Sequence, residues 1–355
     1  MSRPLVSIVV PTCNRADSLR RRLAEIRRLA YEPLEILISD NASADHTEAV
    51  GREAAAADPR VRYVRHATTI GLYGNHNFCL DQARGELLCV FHDHDEHDPM
   101  ILEAYVDFLT AHPRVGVVCS DWELIDEQGR PIGLRVYPVA EVTPGLSYIE
   151  QTMRSGQSSI GIPGAMIRRR ALGDIRIDEQ GRLGFGDFVM WFKLAERWDV
   201  GHVRRRLWRW RQERQMQSAR TITSMAQDYE DNCLAYCDDH LRRWPQHVEL
   251  MLRWRRLVRR YLFWALAYEL GLALRGADAE PDGRSGSRTL FEMLGYHLNH
   301  VELRQTMELL ARYRTGADQA AALMVIRALM RLNVTWPLAA ATRYHPVLRT
   351  LLGLK

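Results

Sequence analysis

Glu86-Leu87-Leu88-Cys89-Val90-Phe91-His92-Asp93-His94-Asp95-Glu96 is an apolar run that ends in two carboxylates one residue apart. The apolar half reads as a buried strand. Bare carboxylates are costly to bury, so Asp93 and Asp95 belong at the strand's exposed tip, where their repulsion calls for a cation. Strand tips at the carboxyl edge of a parallel sheet are where α/β proteins place ligands. An Asp-X-Asp there suits a hard divalent ion such as Mg²⁺ or Mn²⁺, shared with substrate phosphates. Taken alone, the segment also reads as a solvated turn rich in Asp and His.

The flanking sequence places this strand in a repeating pattern. Val6-Ser7-Ile8-Val9-Val10 is a strand that stops at Pro11-Thr12, and Asp17 to Leu29 has helical spacing with Leu19, Leu23, Ile26 and Leu29 on one face. Leu34 to Ser39 is a second strand ending at Asp40-Asn41-Ala42-Ser43. A helix follows over Thr47 to Ala57, then a strand over Val61 to Val64, a helix over Asn75 to Ala83, and the strand Leu87 to Phe91. Met100 to Ala111 is helical and Val115 to Cys119 is another buried strand. Strands separated by helices of this length imply βαβ units and a mostly parallel sheet.

Further along, residues 126 to 165 are richer in Gly, Pro and Thr and read as a loop-laden insertion. Asp187 to Arg197 reads as a helix and Val203 to Trp210 as a strand. From about Thr221 strand signals vanish, and helices carrying Trp, Leu and Arg continue past a break at Ala277 to Ser287. The expected organisation is an α/β domain over 1–220 and a helical region over 221–355.

With 355 residues, 46% hydrophobic and 26% charged, the chain can bury a sizeable core. Its net charge of +4 comes from Arg clusters at 20–22, 168–170, 204–206 and 253–260. Solvated helix faces are the plain reading; contact with nucleic acid or an anionic membrane is the alternative. Six cysteines without CxxC spacing imply reduced thiols and a cytoplasmic compartment. A strand at Leu5 to Val10 leaves no room for a signal peptide. Tyr261 to Leu274 contains Glu269 and is too short to span a bilayer, so a soluble or peripheral protein is expected.

Three strand ends converge on one edge: Pro11-Thr12-Cys13-Asn14-Arg15, Asp40-Asn41 and Asp93-His94-Asp95. Each supplies polar groups where a nucleotide would lie. Together with Gly71 through Gly85, this set resembles the inverting family 2 glycosyltransferases over roughly residues 4 to 220. The resemblance implies the GT-A fold, a Rossmann-like N-terminal domain with a mostly parallel sheet, followed here by an α-helical C-terminal region. It implies that Pro11, Thr12, Asn14 and Arg15 line the nucleotide and that Asp40, beside Asn41, accepts a hydrogen bond from the base. A carboxylate only accepts, and the imide N–H of uracil or thymine can donate. His76 and Asn77 match an Arg-Asn pair, with His in place of the cation. Asp93 and Asp95 match the metal pair that bridges the diphosphate, flanking His94.

Gly184-Phe185-Gly186-Asp187-Phe188-Val189-Met190-Trp191 resembles the family's acidic motif ahead of an acceptor-side helix. Asp187 then takes the position of the catalytic base, Gly186 replaces an acidic residue, and Glu179 is a distant competitor. As a plain structural residue Asp187 would be an N-cap. Gly164 and Trp191 are assigned to the acceptor side, Trp191 serving core packing equally well. In Trp210-Arg211-Gln212-Glu213-Arg214, Glu213 replaces a His that helps bind metal or phosphate in relatives, leaving Glu213 as a metal ligand and Arg211 or Arg214 as phosphate partner.

The implied reaction moves a sugar, with inversion, from a nucleotide diphosphate sugar to an acceptor hydroxyl, assisted by a divalent metal. Glycan, lipid-linked or small-molecule acceptors all suit it, as in bacterial surface polysaccharide, glycoconjugate or natural-product assembly. Arg253 to Arg260 beside Trp254, Tyr261, Phe263 and Trp264 reads either as a bilayer-contacting surface or as a packing and dimerisation face. Two readings compete with the enzyme: nucleotidyl transfer, which lacks its Gly-rich phosphate loop with Lys here, and an inactive nucleotide-sugar-binding scaffold.

Overall fold

The computed structural model describes residues 3–179, 185–212 and 222–274. β1 (Val6–Thr12), α1 (Ala16–Ile26), β2 (Leu34–Asp40), α2 (Thr47–Ala57), β3 (Val61–Arg65), α3 (Leu72–Gln82) and β4 (Leu87–Val90) alternate as the periodicity predicts. β1 pairs in parallel with both β2 and β4, and β2 with β3. β1, β2 and β4 are almost wholly buried, so they read as near-continuous apolar runs, whereas the edge strand β3 is only partly covered. The registers Thr12↔Asp40 and Val9↔Val90 bring the carboxyl ends of the three inner strands to one edge.

Past β4 come β5 (Glu96–His97), α4 (Ile101–Ala111), β6 (Val115–Ile125), β7 (Pro131–Arg135), β8 (Val142–Thr143), α5 (Gly145–Ser155), β9 (Met166–Arg168), α6 (Arg169–Leu172), α7 (Gly186–Ala195) and β10 (Asp199–Arg211). The sheet runs β3-β2-β1-β4-β9-β6-β10-β5, with β9 antiparallel to both of its neighbours. The stretch expected to be loops, 126–165, instead holds β7, β8, α5 and a 3₁₀ turn at Ile162–Gly164. Short two- to five-residue strands leave too little periodicity to detect.

The arginine clusters are not uniformly solvated. Arg22 is only 2% exposed. Arg168 Nε donates to the Val115 carbonyl at 2.9 Å, and Arg169 Nε to that of Gly85 at 2.6 Å. Carbonyls at element ends lack ladder partners, and a long cation reaches them.

The chain divides into two compact units, 1–149 with 158–181 and 186–216, and 150–157 with 182–185 and 217–355. Within the second, α8 (Ile222–Arg243) and α9 (Val248–Leu274) pack through Tyr229, Cys233, Tyr236, Met251, Trp254 and Val258. Trp254 is wholly buried and stacks on Tyr236, with ring centroids 6.1 Å apart. Tyr261 is buried as well. These two rings of the expected basic-aromatic surface therefore face inward, while Arg253, Arg255 and Arg259 pair with Glu150, Asp238 and Glu230. The side chains of Phe263 and Trp264 lie outside the described residues. Among the described residues, no helix is long and apolar enough to cross a membrane.

Candidate cation and donor site

The loop after β4 is held from both sides. Thr12, at the tip of β1, donates from Oγ1 to Asp93 Oδ2 at 2.7 Å, and Arg15 Nε stands 3.8 Å from Asp93 Oδ1. Arg22 reaches up from α1 to donate from Nε to the His92 carbonyl at 3.1 Å. Its Nη1 lies 3.1 Å from His97 Nδ1 and 2.8 Å from Glu25. From β10, the Arg211 backbone N–H donates to Asp95 Oδ1 at 2.9 Å and its Nε to the His94 carbonyl at 3.1 Å. Burial and then the Arg22 charge push His97 down to about 3, so it is neutral.

The loop turns three side chains toward one point. Ligand atoms of His92, His94 and Asp95 lie within 4.8 Å of one another. Asp95 is 1% exposed, yet its Oδ2 has no hydrogen-bond partner, and neither has His94 Nε2. Buried polar atoms are almost always partnered, so such orphans call for an explanation. Burial would raise the Asp95 carboxyl, but His92, His94 and the Arg211 N–H outweigh it and hold it below the ordinary carboxylate range. Burial would likewise lower His94, and Asp93 and Asp95 outweigh it. A buried anionic oxygen beside two imidazoles fits a divalent cation with mixed oxygen and nitrogen ligation.

This set differs from the expected one. Asp95 belongs to it, but Asp93 is tied to Thr12, Arg15 and, at 3.1 Å, to His94 Nδ1. His92 joins it unforeseen, because the sequence reading counted carboxylates only; the His-Asp-His-Asp alternation was the available signal. Glu213 and Arg214 lie outside the described residues. Arg211 is committed to the carbonyls of His94, Asp126 and Glu127 and to Glu96 rather than open to a phosphate.

Around the donor edge, Pro11 is buried in β1, while Asn14 stands exposed in the left-handed region at φ 54° and accepts the Ala44 N–H at 2.7 Å. Asn tolerates that conformation better than most residues. Cys13, Asn14, Arg15, Asp45 and His46 line an open cleft of about 810 Å³. Asp40 is wholly buried; Oδ1 accepts the Ser43 N–H at 2.9 Å and Oδ2 the Tyr63 hydroxyl at 2.6 Å. It thus shapes the turn instead of offering a free oxygen to a base. Asn41 pins the next loop, donating to the Gly71 carbonyl at 3.1 Å and accepting the Ile70 N–H at 2.8 Å.

α3 links the cation loop to the segment carrying Asp187. His76 Nε2 lies 3.1 Å from His92 Nε2. Asn77 accepts the Ile177 N–H at 2.9 Å and donates to the Ile177 carbonyl and to Glu179, at 2.8 and 3.0 Å, so its amide clamps the chain rather than facing a ligand. A Cβ on Gly186 would sit 3.0 Å from the Tyr73 ring and 3.1 Å from Ile177, so the start of α7 abuts the first turn of α3. Asp187, half-buried in the first turn of α7, has its carboxyl pushed up to about 6 by burial, against the backbone N–H groups of Phe188 and itself and the Trp191 indole.

The two acceptor-side residues prove to be packing positions. Trp191 is 1% exposed and belongs to the core. A Cβ on Gly164 would meet the Trp208 indole at 2.1 Å, and the Gly164 carbonyl accepts the Tyr105 hydroxyl at 2.8 Å. The residue is glycine because the indole occupies the space a side chain would need.

The profile described as Glycosyl transferase family 2 matches residues 7–176. Over 94 residues the chain is 36% identical to the GalNAc(5)-diNAcBac-PP-undecaprenol beta-1,3-glucosyltransferase of Campylobacter jejuni, covering 26% of this chain and 30% of that protein. The crystal structure of S. aureus TarS 1-349 in complex with UDP-GlcNAc superposes with a TM-score of 0.58 at 15% identity, covering 98% of this chain and 90% of that one. The mannosyltransferase PcManGT from Pyrobaculum calidifontis, in complex with GDP-Man and Mn²⁺, gives 0.52 at 19%, covering 94% and 88%. These likenesses show the fold to be GT-A-like, with a mainly parallel central sheet. The chain spans under a third of the length of two curated relatives it matches, 22% and 30%.

Proposed function

We propose that the chain transfers a glycosyl group from a nucleotide diphosphate sugar to an acceptor hydroxyl with inversion of configuration. The reading is carried by the convergence of His92, His94 and Asp95 at the tip of β4 inside the family 2 domain. In the reaction the bond from the anomeric carbon to the diphosphate oxygen breaks, and the acceptor oxygen bonds to that carbon from the opposite face. Asp187 takes the acceptor's proton. A carboxylate with its pKa near 6 is largely ionised at neutral pH and still basic enough to be useful. Asp95, His92 and His94 would hold a Mn²⁺ or Mg²⁺ ion, with Asp93 beside them; when bound, such an ion neutralises charge developing on the departing diphosphate.

The open cleft lined by Asn14, Arg15 and His46 gives the nucleotide room next to that loop. Uridine and thymidine diphosphate sugars are the first donors to test, and a polyprenyl-linked glycan is the first acceptor, by analogy with the named Campylobacter relative. Bacterial polysaccharide or glycoconjugate assembly is the setting this suits. The deciding experiment incubates the protein and Mn²⁺ with a panel of uracil, thymine and guanine nucleotide sugars and follows nucleoside diphosphate release. Proton NMR of the product reads the anomeric configuration. Absence of release from every donor, with and without acceptor, would sink the reading.

A further inference from the structure

We propose that His92, oriented by His76, gives the donor-site cation an imidazole nitrogen, so that the site favours ions of the Mn²⁺-to-Zn²⁺ series over Mg²⁺. This rests on the glycosyl-transfer reading for its purpose, though not for its geometry. His76 Nδ1 lies 2.8 Å from the Leu72 carbonyl, which can only accept, so Nδ1 carries the hydrogen. The ring is buried, and among the described residues its hydrogen-bond partners are that carbonyl and His92. With Nδ1 committed to that carbonyl, Nε2 is the ring nitrogen that meets His92. Two ring nitrogens 3.1 Å apart share one hydrogen, so His92 Nε2 is committed to His76.

The His92 ring nitrogen left for another partner is Nδ1, and that atom stands 3.5 Å from Asp95 Oδ2. Asp95 Oδ2 is buried without a hydrogen-bond partner, and so is His94 Nε2. The separation is long for an N–H···O hydrogen bond, which peaks near 2.9–3.0 Å. It matches the roughly 3.0–3.5 Å between neighbouring ligands that each sit ~2.1 Å from one ion. Ligating histidines characteristically donate their second N–H to a fixed acceptor, and His76 is that acceptor here. Mg²⁺ prefers oxygen and water, whereas Mn²⁺ through Zn²⁺ accept imidazole increasingly well. The Leu72–His76–His92 chain is therefore a positioning device for a nitrogen ligand.

The test uses the full chain stripped of metal and then loaded with Mn²⁺ alone or Co²⁺ alone. Pulsed electron paramagnetic resonance of bound Mn²⁺ should show imidazole ¹⁴N coupling that weakens in His92→Gln and vanishes in the His92→Gln/His94→Gln pair. Calorimetry should show Co²⁺ affinity falling about tenfold or more in His92→Gln, with Mg²⁺ affinity changing less than about twofold. His76→Phe, which cannot accept a hydrogen bond, should weaken Co²⁺ binding by about 10- to 100-fold, and His76→Gln, which can, should recover most of it. Thermal unfolding of each metal-free variant separates a folding defect from a lost ligand. An unchanged ¹⁴N spectrum in His92→Gln overturns the proposal; if Asp95→Asn still abolishes Mn²⁺ binding, the cation reading itself stands. Mn²⁺ binding that survives both substitutions overturns both.

Discussion

Thr12 Oγ1 and Asp93 Oδ2 lie 2.7 Å apart across 81 positions of sequence, joining the end of β1 to the loop that follows β4. Both residues are buried, at 3% and 5% exposure. The bond fixes which way the Asp93 carboxylate turns and so how the next two residues leave the strand. Thr12→Val keeps the shape and removes the donor, leaving a buried carboxylate oxygen short of a partner. That costs about 1–3 kcal/mol, and Thr12→Ser should restore most of it. Urea denaturation of the three proteins checks the ordering; a Val variant as stable as the parent would show that the bond contributes nothing.

Asp187 makes a prediction in which activity and stability move in opposite directions. Its carboxyl is raised from the ordinary 3.8 to about 6, so the folded state holds a proton that the unfolded chain has already released. Stability from this group is therefore fullest below about pH 4, declines as pH rises toward 6 and is lost above it. Asp187→Asn removes that penalty and should melt higher than the parent at pH 7, by about 1–3 kcal/mol. Transfer should fall by about 10²- to 10⁴-fold, and the parent's kcat/KM should climb with pH through about 6 to a plateau. A flat pH profile together with unchanged turnover in the Asn variant would remove Asp187 from the chemistry.

The sequence carried the fold more completely than the site, for physical reasons. β1, β2 and β4 are inner parallel strands whose apolar runs admit one reading. Asp93 and Asp95 follow β4 as expected, but they are buried at 5% and 1% exposure rather than exposed, because Thr12, Arg15, the imidazoles and the Arg211 N–H surround them. What was hidden depends on which atom faces which. Nothing in the spacing tells that Arg22, three residues after Leu19 on an amphipathic helix, turns inward to a carbonyl. Nor does composition distinguish an Asn77 that clamps Ile177 from one that binds a ligand, or a Trp191 in the core from one lining a cleft. His92 was legible only as part of an alternation, and its partner His76 is sixteen residues away on another element.

Asp95 should separate cation-dependent function from folding. Asp95→Ala removes the anionic oxygen of the converging set and also the acceptor of the Arg211 N–H. Mn²⁺-dependent donor cleavage should be lost. Because the carboxyl is held below its ordinary value, its stabilising share is present at neutral pH and fades as pH falls through the acid range. Parent and variant should therefore differ more in melting temperature at pH 7 than at pH 3. Full activity of the parent in excess chelator would rule out the ion altogether.

Arg22 offers the sharpest test of how the cation loop is supported. Burial lowers its pKa while Glu25 and then Asp95 oppose that, so it remains the cation at the base of the loop. Its guanidinium meets three separate groups: the His92 carbonyl, His97 Nδ1 and Glu25. Arg22→Met fills similar volume but strips the His92 carbonyl and His97 Nδ1 of their donor and Glu25 of its ion pair, and unpartnered buried acceptors cost more than the bonds were worth. A loss of about 2–4 kcal/mol is expected, appearing as a melting temperature lower by several degrees. Arg22→Lys keeps the charge but cannot span three acceptors from one nitrogen, so it should fall between the two. Calorimetric Co²⁺ binding then decides what the support is for. If Arg22 serves only the core, the Lys variant binds Co²⁺ as the parent does; if it aims the His92 backbone, affinity falls in Lys and further in Met.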